Sequence, residues 1–395
     1  MAQARDVVIV SGVRTAIGDY GGTLKDFTPS DLGGRVVKEA IARAGIDAAQ
    51  VSQLVFGNVI HTEARDMYVS RMAALNAGMA KESVALTLNR LCGSGLQAIV
   101  TAANAIQLGD CDIAVGGGVE CMSRSGYMAP AARWGARMGD TGLVDMMVGA
   151  LNDPMHTIHM GITAENVAAK WGISREDQDA FSVESHRRAA AAIAAGHFKE
   201  QILPVEVKTR KGPVAFVTDE HVRGDVTVEG LAKLRAAFKK DGSVTAGNAS
   251  GINDAAAAVV LMEAGAAARA GLKPMARLVS YGLAGVEPTT MGEGPIPAVK
   301  IALQRAGITV GDLAAVESNE AFAAQALCVT RGLELDPAKV NPNGGAVALG
   351  HPLGATGAIL TVKCMYELHR IGGRYGLITM CIGGGQGIAG VIERL

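Results

Sequence analysis

At 395 residues the chain has room for two or three domains, and its balance of 37 basic against 38 acidic residues, with no Lys/Arg run, argues against nucleic acid or a membrane surface as partner. Aromatic residues are 4% against 49% hydrophobic, so the core is expected to be built from Ala, Val, Ile, Leu and Met. Six cysteines at 92, 111, 121, 328, 364 and 381 lack metal-knuckle spacing, and with no signal-like stretch at Met1–Asp6, no Ser-Lys-Leu end and no apolar span fit for a bilayer, a reducing cytoplasm is the expected setting.

In chain order, Asp6–Val10 predicts a buried strand, Ser30–Ala44 a helix closed by Gly45, and Val51–Ile60 a strand ending at Gly57-Asn58. Asp66–Asn76 predicts a helix and Val84–Leu88 a strand. The chain then turns through Asn89, Arg90 and Leu91 to Cys92, followed by Gly93-Ser94-Gly95 and a helical run, Leu96–Ile106. Asp112–Val115 predicts a strand running into Gly116-Gly117-Gly118, with the glycine cluster read as a strand-to-helix turn. Strands alternating with helices indicate α/β architecture.

From Met122 to Ala246 the texture changes. The segment is richer in Met, His, Arg and Asp and reads as an insertion covering a site, with a capped helix at Ser174–Ala195 and irregular pieces including Lys208–Glu220. Gly247–Met262 returns to a buried strand. The first pattern then repeats: strand Ala276–Ser280, helix Pro297–Ala306, strand Leu313–Ser318 ending at Asn319, and helix Ala321–Arg331. A long helix opens from Gly350-His351-Pro352-Leu353-Gly354, and strand Arg374–Cys381 runs into Gly383-Gly384-Gly385.

Asn58 and Asn319 each follow a strand, and glycine-flanked helix starts follow at Cys92 and His351, 34 and 32 residues later. Triple glycines begin at 116 and 383, a further 24 and 32 residues on. The matched punctuation indicates an internal duplication. Related halves packed face to face bring equivalent helix starts together, and so Cys92 toward His351.

Cys92 at a strand-to-helix junction meets outward-pointing backbone N–H groups and the positive end of a helix dipole, which favour thiolate. Read so, it is a nucleophile; read blandly, it is a small buried hydrophobe. His351 suits proton transfer near neutral pH, or is a satisfied structural histidine. Cys381, in its glycine-rich loop, stands open as second acid/base or core cysteine, and Asn319 as a group orienting a water or carbonyl or as a helix N-cap.

Four segments together resemble the thiolases: Asn89–Gln97, Asn319-Glu320-Ala321-Phe322, Gly350–Gly357, and Cys381-Ile382-Gly383-Gly384-Gly385-Gln386-Gly387. The resemblance extends over the whole chain and is strongest to bacterial β-ketothiolases. It implies duplicated βαβαβ halves forming a layered α-β-α-β-α core with an inserted loop domain: residues 1–121 plus 247–273, the insertion 122–246 as a CoA-binding lid, and 274–395. It implies that Cys92 carries an acyl group, that His351 activates it, and that Cys381 moves a proton at the α-carbon of acetyl-CoA. One oxyanion site would use His351 with a water held at Asn319, the other the N–H groups of Cys92 and Gly383. His159 and Ser250 would meet pantetheine, Arg223 and Phe238 the adenine end, and Leu151 and Met160 the pocket wall, which Met291 and Phe322 extend. Gly230 stands where some relatives carry a CoA-contacting serine. No cofactor or metal is implied, CoA thioesters being substrates, and the expected assembly is a homotetramer, a dimer of dimers.

Rival readings fit less. The glycines at 116–118 lack the G-x-G-x-x-G order of a dinucleotide turn. Ketoacyl synthases share a duplicated architecture and a cysteine nucleophile, but Cys381 stands where they carry His or Asn. A fold without chemistry predicts a broken constellation, and none of its members is missing.

Overall fold

One strand-and-helix pattern is used twice, as a computed structural model of residues 5–395 describes it; the chain start at Met1–Ala4, read above for a leader, lies outside the described residues. The first copy runs β1 (Val7–Thr15), α1 (Pro29–Ala44), β2 (Gln53–Gly57), α2 (Val69–Asn76), β3 (Val84–Leu88), α3 (Ser94–Leu108) and β4 (Ile113–Cys121). After a segment carrying α4 (Met160–Trp171) and α5 (Arg175–Ala194), the chain returns through β5 (Asn253–Glu263), which pairs antiparallel with both β1 and β4. The second copy runs β6 (Ala276–Gly285), α6 (Pro295–Ala306), β7 (Leu313–Ser318), α7 (Ala323–Gly332), α8 (Leu353–Ile371), β8 (Tyr375–Ile382) and β9 (Gln386–Arg394).

The strands form one continuous sheet in the order β7-β8-β9-β6-β1-β5-β4-β2-β3, because the two copies join edge to edge where Val8 and Ile9 pair with Arg277 and Ala276. Helices α1 and α2 pack on the first copy's strands and α6 on the second copy's, while α3 and α8 pack on each other and on strands of both copies. The result is an α-β-α-β-α stack. Fifteen of the nineteen residues of α8 are buried, as a helix in the middle layer requires. Lys363 on that helix is buried too, and it is held by Glu317 Oε2 at 2.7 Å and Gly344 O at 2.8 Å.

Several sequence expectations shift. Gly116, Gly117 and Gly118 lie inside β4 rather than in a turn after it. α3 and the start of α8 press directly on that strand: a Cβ on Gly116 would stand 2.7 Å from Ile99 Cα, and one on Gly118 would overlap Gly354 O. Bare backbone is what lets the middle layer sit this close. Gly247–Ile252 is loop, the strand starting at Asn253, and the predicted helix at Asp66 begins as a 3-10 turn, Ala64–Tyr68. The stretch around Lys208–Glu220 holds an antiparallel hairpin, Val205–Thr209 against Gly212–Phe216.

Strand register fixes the correspondence between the copies. Gly57 pairs with Gly118 as Ser318 pairs with Thr379, and the next residues are Asn58 and Asn319. Glu120 therefore occupies the position of Cys381, each 62 residues after its asparagine. The triple glycines are not equivalent, since Gly383–Gly385 form the turn between β8 and β9. A single bridge, Val316 to Val340, stands where the first copy has β3.

Candidate active site

Cys92 sits in the tight turn Asn89–Ser94 between β3 and α3. Asn89 Oδ1 accepts Leu91 N (2.8 Å), Ser94 Oγ accepts Arg90 N (2.8 Å) and donates to Leu91 O (2.7 Å), and Leu91 adopts φ 47°. Arg90 Nη1 reaches Gln386 Oε1 at 3.1 Å, tying this turn to the hairpin that carries Gly383. A helix start favours an acidic thiol. Burial instead pushes Cys92 up to about 11, against the opposing pull of hydrogen bonds from the Gly383 and Cys92 N–H groups. Desolvation exceeds the gain from those donors, so the resting group is a thiol.

His351 enters from the second copy, just before α8. Its backbone N–H donates to Asn253 Oδ1 at 2.9 Å, and Gly350, at φ 106°, places bare backbone where any Cβ would run into the Asn253 amide. Thr356 Oγ1 donates to Pro352 O at 3.0 Å, so toward His351 Nδ1, 2.7 Å away, it acts as acceptor. The ring proton is thereby placed on Nδ1, leaving Nε2 as the basic nitrogen. Asn319 Nδ2 approaches that Nε2 at 3.4 Å, and burial lowers His351 to about 4. A neutral thiol and a neutral imidazole are the stable resting pair.

Both residues line one cavity of about 230 Å³, together with Gly383, Leu151, His159, Met160, Phe238, Ser250, Met291 and Phe322. Its wall is mostly apolar. His159 caps α4, its Nδ1 accepting Gly161 N at 3.0 Å, so Nε2 carries the proton; its ring stacks on Phe238 with centroids 4.7 Å apart. Ser250 is pinned by its N–H to Ala321 O at 3.0 Å. His156, three residues before His159, turns away to Asp153 at 3.1 Å.

Three expected residues are not on the cavity wall. Asn319 lies behind His351. Cys381 is fully buried beside Cys92, among Met160, Met291, Ala321 and Phe322, and burial, followed by repulsion from Cys92 when that residue is ionised, drives its thiol well up. Arg223 is exposed, its backbone N–H bonded to His186 Nδ1 at 3.1 Å. Gly230 is exposed, in the short helix Val228–Ala232.

Sequence reasoning passed over Asn253, Thr356, the wall residues Met122, Ala249 and Ile252, and Glu120. Glu120 is buried, and burial raises it to about 7 in spite of three backbone N–H donors. A signal for it existed: the interval from Asn58 matches that from Asn319 to Cys381. The others depend on contacts between distant segments and leave no local pattern.

The family models described as "Thiolase, N-terminal domain" and "Thiolase, C-terminal domain" match residues 7–265 and 272–394. The chain is 66% identical over 392 residues to the beta-ketothiolase BktB of Cupriavidus necator, covering 99% of this chain and all of that one. It is 50% identical over 398 residues to the acetyl-CoA acetyltransferase of Syntrophomonas wolfei, covering 99% and 100%. Among solved structures, the Bacillus anthracis acetyl-CoA acetyltransferase superposes with TM-score 0.98 at 45% identity over the whole of both chains. The human mitochondrial 3-ketoacyl-CoA thiolase in complex with CoA superposes with TM-score 0.96 at 43% identity, covering 99% and 98%.

Proposed function

The chain belongs to the thiolase family, and from that premise we propose that it is a β-ketothiolase catalysing acyl-CoA + acetyl-CoA ⇌ 3-ketoacyl-CoA + CoA. The observation that carries the reading is the meeting of Cys92, His351 and Gly383, from three distant segments, on one apolar cavity.

In thiolysis, His351 Nε2 takes the Cys92 proton as Sγ attacks the 3-keto carbon, since a thiol near pKa 11 needs a base in place. The C2–C3 bond breaks, and Cys381 gives its proton to C2, releasing acetyl-CoA and leaving the acyl group on Cys92. The Cys381 thiolate then takes the proton of an incoming CoA thiol. CoA sulfur attacks the thioester, and the departing Cys92 recovers its proton from His351. The proton count closes, and synthesis is the reverse. The N–H groups of Cys92 and Gly383 serve the developing oxyanion, where one such donor is worth roughly 10²–10³ in rate. The second oxyanion site is assigned to His351 with a water at Asn319, whose buried Oδ1 has no hydrogen-bond partner among the described residues.

The CoA arm is assigned to His159 and Ser250 on the wall, with Phe238 and Arg223 toward the adenine end and Leu151 and Met160 shaping the acyl pocket. The return of the chain into β5 supports a division into 1–121 with 247–273, the insertion 122–246, and 274–395. The reaction requires no metal or organic cofactor, because thiols, imidazole and backbone N–H groups supply every role. A homotetramer working in the cytoplasm completes the reading; among the described residues no helix is long and apolar enough to cross a membrane.

Mass spectrometry after exposure to acetyl-CoA tests the proposal. A single acetyl adduct on Cys92, abolished by Cys92→Ser, is expected, with parallel lines in initial-rate plots. Intersecting lines or an unmodified Cys92 overturn it. A thiolysis series of 3-ketoacyl-CoA esters of increasing length, compared by kcat/KM, then sets the acyl preference.

A further inference from the structure

Glu120 is a carboxyl group in the interior with four hydrogen-bond donors around it and no cation among them. Oε1 accepts Asn58 Nδ2 at 3.2 Å and Ile60 N at 3.0 Å; Oε2 accepts Val59 N at 3.1 Å and Gly354 N at 2.7 Å. The first three donors belong to the loop after β2, in the first copy. The fourth is the second residue of α8, three positions after His351 and in the other copy. A buried carboxylate is costly unless its oxygens are fully bonded, and this one has two N–H donors on each.

Among these bonds, only the one to Gly354 crosses between the copies. It also places the carboxylate at the positive end of a nineteen-residue helix. Glu120 is close enough to the nucleophile for its charge to bear on the Cys92 thiol. The copies put Cys381 at the equivalent position, also beside Cys92. One strand end thus carries a thiol next to the nucleophile, and the other carries a carboxylate that holds the histidine-bearing helix start.

We propose that Glu120 is a positioning residue for the acyl-transfer step: by gripping Gly354 N from the first copy it sets the approach of His351 to Cys92. This rests on the reading of Cys92 as the acylated residue. Glutamine cannot substitute, because its amide NH₂ would point at two N–H donors. Gly354 offers a second route to the same contact. A Cβ there would stand 2.8 Å from Glu120 Oε2 and 3.0 Å from Asn58 Cα, forcing the carboxylate off while suiting the helical backbone.

The test measures single-turnover acetylation of Cys92 by rapid quench and mass spectrometry in wild type, Glu120→Gln, Gly354→Ala and the double variant. Each single variant is expected to slow acetylation at saturating acetyl-CoA by about 10²-fold, the effect of a misplacement near 1 Å. The half-saturating concentration should stay within about twofold, because the CoA-binding wall is untouched, and the double variant should be no slower than the slower single one, because both break one contact. Unchanged rates, multiplicative losses in the double variant, or half-saturation rising in step with the rate loss overturn the proposal. If Glu120→Gln does not fold, Gly354→Ala decides alone by rate and half-saturation. Failure of wild-type Cys92 to acetylate overturns the functional reading itself; normal acetylation in wild type and variants alike overturns this inference only.

Discussion

Thr356 Oγ1 lies 2.7 Å from His351 Nδ1 while donating its own proton to Pro352 O. The hydroxyl is thereby committed as an acceptor toward the ring, and the imidazole presents Nε2 bare. Thr356→Val keeps the shape and removes the acceptor, leaving a buried Nδ1–H unpaired or moving the proton to Nε2. The acylation rate is expected to fall by roughly 10²-fold with KM little changed, since a base with its proton on the wrong nitrogen is no base. Single-turnover acetylation checks this; a proportional rise in KM would contradict it.

The two cysteines should separate in partial reactions. Cys381→Ser is expected to lose condensation by roughly 10²–10⁴ and to slow Cys92 acetylation far less, because the departing CoA sulfur can leave as a thiolate without the Cys381 proton. Cys92→Ser should lose both. Rapid-quench acetylation alongside a condensation assay distinguishes them, and equal losses in Cys381→Ser would remove its separate role.

Burial lowers His351 from 6.5 to about 4. A depressed histidine pKa keeps the base unprotonated on the acid side, so single-turnover acylation should cross pH 6.5 without the inflection of an exposed histidine and decline only as pH nears the folded value. The same shift acts on stability. The neutral ring contributes stability fully present above 6.5 and lost as pH falls through about 4, because the unfolded chain takes up the proton first. Unfolding followed from pH 7 to 4 should therefore show a steeper loss in wild type than in His351→Asn.

Gly118→Ala should destabilise the protein by about 3 kcal/mol or more, because its methyl would overlap the Gly354 carbonyl, backbone that has nowhere to go. Gly230→Ala, exposed and meeting only Thr227 Oγ1 at 3.4 Å, should stay within about 0.5 kcal/mol. Chemical unfolding of the two variants side by side makes the comparison. Equal effects would mean that the glycine run in β4 is not there for close packing.

The sequence made the second copy visible through punctuation, and with it the pairing of Cys92 with His351, since helix starts and strand ends leave local signatures. The same habit misread Gly116–Gly118, because a glycine cluster in a turn and one beneath a pressing helix are identical as letters. The Cys92 thiol differs from the expectation for a related reason. A dipole can be read from a helix start, but desolvation depends on what else arrives, here the Gly383 hairpin and the apolar cavity wall. Thr356 and Asn253 were invisible because their partner, His351, meets them through an irregular loop and a distant strand. Arg223, expected near bound CoA, is exposed and bonded through its backbone N–H to His186, outside the cavity wall.

The register match between Glu120 and Cys381 has a consequence for direction. Cys92 and His351 are themselves counterparts, so the reacting pair sits where the two copies mirror one another, flanked on one side by Asn319 and Cys381 and on the other by Asn58 and Glu120. Two identical copies would give such a centre interchangeable flanks, and an incoming thioester no reason to prefer either. A carboxyl group with both oxygens taken up by N–H donors makes one flank a fixed support, while the other carries a sulfur beside Cys92. That single difference gives a nearly two-fold arrangement a front and a back.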